Sequence, residues 1–151
     1  MQRDALDFIT DPEGEWMALL ACGHTQHVRH RPPLVERPWT QTQAGRRQMV
    51  GTQFNCVKCV SMEAPAGLNE YSATPWFDEI SIPAGLRKDH STKRGVWGRI
   101  EVVMGELTYE VTAPFVHEQV LSAGSDGWIP PEAVHHVMPV GAVQFRVHFL
   151  R

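Results

Sequence analysis

The stretch "GVWGRIEVVMGELTYEVTAP", residues 95–114, decides how the second half of this chain is read. "RIEVV" alternates polar and apolar residues, as a strand with one buried face does. Gly105 interrupts the pattern, and "ELTYEV" resumes it. "VVMGEL" therefore reads as strand, glycine turn and strand, the form of a barrel hairpin. The same texture runs from Trp76 to the end. "FDEISIP", "HEQVLSAG", "GWIPP", "HHVMPVG" and "AVQFRVHFL" are short runs rich in β-branched and aromatic residues. Glycine or proline separates them every ~8–12 residues, the spacing of an all-β sandwich or barrel. A small barrel closes its sheet and leaves no exposed edge.

The first sixty residues have a different character. "ALDFI", the turn "TDPEG" and "EWMALLA" form a hairpin pattern that delivers Cys22 at the end of its second strand. "RPPLVERPW" holds three prolines and excludes helix interior and central strand. "TQTQAGRRQMV" suits a short helix capped by Thr40 or Thr42, and "TQFNCVKC" a short strand entering a metal knuckle. "VSMEAPAGLNEYSATP" is small, polar and turn-rich, and reads as a linker. The expected domains are residues 1–62 and 65–151.

Composition narrows the function classes. With 42% hydrophobic and 21% charged residues the chain is globular in character. No apolar run approaches the ~20 residues of a transmembrane helix, so no membrane partner is expected. The start, "MQRDALDFITD", lacks the apolar core of a signal peptide. Three cysteines, two of them as CxxC, suit metal ligation in a reducing compartment better than a disulfide framework, and the expected address is the cytoplasm. Net charge is −3, and residues 1–63 carry seven basic and seven acidic side chains, which argues against nucleic acid as a partner.

"CGHTQHVRH", residues 22–30, crowds one cysteine and three histidines into nine positions. Structural zinc takes four nitrogen or sulfur ligands, often as two close pairs. Cys56 and Cys59 form one pair. Cys22 belongs to the other, with His24 as its preferred partner because Gly23 permits a tight turn; His27 is the alternative fourth ligand. The rival is a catalytic zinc on His24, His27 and His30, one face of a helical turn. Pro32, Pro33 and Gly23 oppose that helix, and it leaves the CxxC unexplained.

"LACGHTQHVRHRPP", "RPW" and "GTQFNCVKC" resemble a small bacterial family of unknown function with the pattern L-x-CGH-x-QH-x-RH-x-PP, R-P-W and G-x-x-x-x-C-x-x-C. The resemblance implies a compact zinc-binding module and no particular activity.

Independently of any family, His90 before the first barrel hairpin and His135 after "IPPEA" could share one cavity, since a small barrel interior admits one small ligand. Adjacent His135 and His136 must point to opposite faces, so only one of them turns inward. "TPWFDEISIPAGLRKDHSTKRGVWGRIEVVMGEL" (74–107), "IPPEAVHHV" and "VQFRVHFLR" are then similar to the small cupin domain of tellurite-resistance proteins. That resemblance implies a mainly β chain, a zinc-stapled N-terminal module followed by a cupin-type jelly-roll barrel. It brings no methyltransferase, since no glycine-rich cofactor loop is present. Against the broad cupin pattern, His90 and His135 are kept, while Thr92 and Trp97 stand at the other ligand positions. A second divalent metal in the pocket would need a third ligand, for which His148 is the candidate.

The expected function is a metal-binding stress protein of the tellurite-resistance type, taking a small molecule, anion or metal in the barrel, with a homodimer as the candidate assembly. Two alternatives stand beside it: a metal-dependent cupin enzyme of dioxygenase or isomerase type, and a zinc module docking a protein or nucleic-acid partner.

Overall fold

The computed structural model describes residues 1–151 and is mainly β. It divides into two compact units, Met1–Lys58 and Cys59–Arg151. No helix is long and apolar enough to cross a membrane.

The first unit is built on a four-stranded antiparallel sheet. Strands β1 (Gln2–Thr10) and β2 (Trp16–Leu20) form the expected hairpin, with β3 (Thr25–His27) beside β2 and β4 (Gln53–Asn55) beside β1. Alternate residues Ala5, Ala18 and Leu20 are buried, and Phe8 packs edge-on against Trp39 and Phe54. The proline-rich stretch carries a short 3-10 helix, Pro38–Gln41, begun by its proline. Helix α1 (Gln43–Gln48) follows, and of the two candidate caps the structure uses Thr42, whose hydroxyl accepts the Gly45 N–H. Helix α2 (Val57–Val60) is a single turn after β4.

The second unit is one six-stranded sheet that curls into a barrel-like form. Its strands are β5 (Glu70–Ala73), β6 (Phe77–Asp78), β7 (Trp97–Ala113), β8 (His117–Ser122), β9 (Asp126–Ile129) and β10 (Val134–Leu150). β5 lies inside the stretch expected to be a linker, and pairs with β10.

The largest departure from expectation is at Gly105. No turn forms there: β7 runs unbroken for 17 residues, and so does β10, which was expected as two strands. The two pair along nearly their whole length. Gly105 instead makes a corner. Its φ is +75°, and a Cβ at this position would lie 1.9 Å from the Ala142 carbonyl oxygen. Opposite it, register slips between Val140 and Val143, leaving Gly141 and Ala142 as an insert in β10. A second slip, between Gln144 and Phe145, leaves Val103 as a single extra residue in β7, and that one-residue bulge reverses which face β7 presents. Accordingly Ile100 and Val102 are buried before the corner, and Leu107, Tyr109 and Val111 after it. The first half of β7 pairs with β9 and the second half with β8. One bent ribbon thus serves both walls of the curl, with Trp97, Tyr109 and Phe145 among the core side chains.

Candidate functional site

Two sites emerge. The first gathers Cys22, His24, Cys56 and Cys59, all buried, with their ligand atoms within 4.8 Å of one another. Local geometry explains how. Gly23, at φ +85°, lets the chain reverse straight after β2, and Leu20 accepts the Gly23 N–H while donating to the His24 carbonyl. Cys22 and His24 are left facing the same point. The turn of α2 returns Cys59 to Cys56 three residues on.

Distances test whether a metal fits. Zinc–sulfur bonds of about 2.3 Å in a tetrahedron put sulfur atoms about 3.8 Å apart, and sulfur and nitrogen about 3.6 Å apart. Here Cys22 Sγ and Cys56 Sγ are separated by 3.8 Å. His24 Nδ1 is 3.5 Å from Cys22 Sγ and 3.3 Å from Cys56 Sγ. These are the edges of a zinc-sized tetrahedron, and the cluster could hold a metal such as zinc.

The other histidines of the motif are engaged elsewhere. His27, the alternative ligand, has Nε2 2.8 Å from Asp11 at the surface, a contact that holds the Asp11 carboxyl below its ordinary range. His30 Nδ1 accepts the Arg37 N–H. His27 lies on a strand and no helix aligns the three histidines, so the three-histidine centre has no scaffold.

The second site is a cavity of about 160 Å³ inside the curled sheet, with His90, His135 and Thr92 in its wall. His90 and His135 exchange backbone hydrogen bonds, 3.0 and 2.8 Å, as a directly opposed antiparallel pair. Opposed residues put their side chains on one face, and the two rings stand 4.2 Å apart between centroids. His136 takes the opposite face, with Nδ1 2.8 Å from Asp89.

Each cavity ring is oriented by a backbone carbonyl: His90 Nδ1 lies 2.9 Å from Lys88 O and His135 Nδ1 2.8 Å from Ala133 O. A carbonyl only accepts, so in the neutral ring the proton sits on Nδ1 and Nε2 keeps a lone pair. Burial pushes the His135 pKa down to about 4, so the ring is neutral near pH 7.

His148 does not join them. Val147 and Phe149 line the cavity, so the residue between them points to the other face of β10. There it is buried between two carboxylates, Nε2 2.8 Å from Glu101 and Nδ1 2.9 Å from Glu70. Its contact, with that of Arg146, holds the Glu101 carboxyl below its ordinary range. Arg99 is likewise occupied, 3.3 Å from Asp126. Trp97 is core, Phe77 packs on Phe145, and Trp76 is 40% exposed beneath Arg146.

Sequence reasoning overlooked the apolar wall of this cavity, drawn from Leu86, Ile100, Ile129 and Val137 on four separate segments. It weighed Thr92 only as a missing metal ligand, whereas its Oγ1 is buried without a hydrogen-bond partner.

Comparison with known proteins supplies the context. Residues 72–147, half of the chain, match the family model described as the TehB-like domain, and residues 6–63 match the one described as protein of unknown function DUF3565. A crystal structure of an Escherichia coli K12 protein, solved by a structural genomics consortium, is 25% identical with a TM-score of 0.53, over 58% of this chain and 93% of that one. TehB from Haemophilus influenzae is 24% identical with a TM-score of 0.52, over 55% of this chain and 31% of that one, a likeness of fold alone. This chain therefore matches about a third of TehB. No curated protein matches it.

Proposed function

From the premise that this chain belongs to the TehB-like domain family, we propose that it is a cytoplasmic binding protein related to tellurite resistance. Its second unit is a cupin-type barrel that takes a small molecule, and its N-terminal module is held by structural zinc. One observation carries the reading: His90 and His135 stand side by side in a cavity, each oriented by a carbonyl and each with a lone pair on Nε2. Cys22, His24, Cys56 and Cys59 would together fill the four positions of a zinc ion, which would then cross-link the module and supply no further chemistry. It would let some sixty residues fold where a hydrophobic core alone is marginal.

A second reading puts a divalent metal on His90 and His135. The carbonyl ties favour it, since metal-bound imidazoles usually donate their other N–H to such a group. Against it, His148 faces Glu70 and Glu101, and two neutral imidazoles alone hold a divalent ion loosely. A cupin enzyme dependent on that metal shares the weakness. Elemental analysis of protein purified without added metal separates the readings. One zinc per chain, lost in Cys56→Ser, supports the binding protein; a second transition metal lost in His135→Ala overturns it in favour of the metal cupin.

A further inference from the structure

We propose that the barrel cavity is selective for a neutral, phenol-sized ligand bearing one hydroxyl group on an apolar body. This deepens the binding reading above and rests on it. The cavity is about 160 Å³, close to the ~150 Å³ of an engineered cavity that binds benzene. That admits six or seven heavy atoms. Most of its wall is aliphatic or aromatic, from Leu86, Ile100, Ile129, Val137, Val147 and Phe149. No lysine, arginine, aspartate or glutamate lines it. An anion placed there would lose its hydration with no cation to replace it.

The polar residues of the wall are Thr74, His90, Ser91, Thr92 and His135. His90 and His135 present lone pairs on Nε2, since both Nδ1 atoms are bound to carbonyls. Thr92 Oγ1 is buried with no partner, so both its proton and its lone pairs are available. Thr74 is already satisfied, accepting from Val147 N and donating to Pro75 O. A hydroxyl group matches this arrangement because it donates and accepts at once. Its proton goes to an imidazole Nε2, and its oxygen accepts the Thr92 hydroxyl proton. A hydrocarbon leaves Thr92 unsatisfied, and a carboxylate has no proton to give the imidazoles.

The test titrates four probes into the full-length, isotope-labelled chain while the ring signals of His90 and His135 are followed by NMR. The probes are phenol, toluene, benzoate and inorganic phosphate. Phenol is expected to shift both rings, with toluene at least tenfold weaker and benzoate and phosphate without effect. Thr92→Val keeps the shape and deletes the hydroxyl, so phenol should bind about three- to tenfold more weakly, the worth of one neutral hydrogen bond. Thr92→Ser should restore the affinity. Toluene binding as well as phenol, benzoate or phosphate shifting the rings, or Thr92→Val leaving phenol affinity unchanged would each overturn the proposal. If none of the four probes moves either ring, the binding reading itself falls along with it.

Discussion

Gly105→Ala asks whether residue 105 is a corner or a turn. Two costs add. The backbone there has φ +75°, a left-handed conformation that costs a residue with a Cβ about 1–2 kcal/mol. The new methyl would also sit 1.9 Å from the Ala142 carbonyl oxygen, well inside van der Waals contact. Relieving that overlap means moving β10 away from β7, and overpacking of this kind costs typically about 1–3 kcal/mol. The sum is about 2–5 kcal/mol. For a unit of some ninety residues each kcal/mol lowers Tm by about 4–8 °C, so a drop of roughly 10–40 °C is expected. Gly141→Ala is the control. It has nearly the same φ, +74°, but no atom within 4 Å of the added methyl, so it should lose only the conformational part. Calorimetry or circular dichroism on both variants gives the difference. Were residue 105 the tip of a hairpin, both substitutions would cost the same, and equal Tm values would refute the bent-strand account.

Three further outcomes are expected. A chromophoric chelator should draw one zinc from the chain, Cys56→Ser and His24→Ala should each lose it and unfold the N-terminal module, and His30→Ala should keep it; zinc retained in Cys56→Ser would remove the cluster as the site. Acid should weaken the second unit through His135, because the unfolded chain takes up a proton on this histidine near pH 6.5 while the folded chain resists to about 4. That contribution is intact above pH 6.5, is lost as pH falls from 6.5 to 4, and amounts to about 3 kcal/mol; urea titrations in which His135→Gln loses as much stability as the parent over this window would contradict it. Thr42→Ala removes the hydroxyl that caps α1 and should cost about 1 kcal/mol in the same assay, and an unchanged urea midpoint would show that the cap is idle.

Much of the cysteine–histidine cluster was legible because its determinants are local. Cys56 and Cys59 are three positions apart, and Gly23 sits between Cys22 and His24, so spacing and turn chemistry alone aim each pair. Choosing His24 over His27 rested on the same local geometry, and the structure turns His27 outward to Asp11. His90 and His135 were nominated as one site, and the opposite facing of His136 followed from strand alternation. Backbone carbonyls hold the two cavity rings, while Glu101 lies against His148.

The sequence by itself determined what neighbouring residues decide: a β chain of period-two strands, a hairpin before Cys22, a capped helix at Thr42 and a cysteine–histidine cluster. Tertiary structure alone decided whether Gly105 turns the chain or bends it, and which way His148 points. Both depend on register against a strand some forty residues away. The single extra residue Val103 in β7 shifts that register by one, and a one-residue shift exchanges the inner and outer faces of a strand. A glycine within an alternating pattern suits a turn and a corner equally well. Only the pairing of β7 with β10 along both halves selects the corner, and with it the cavity between them.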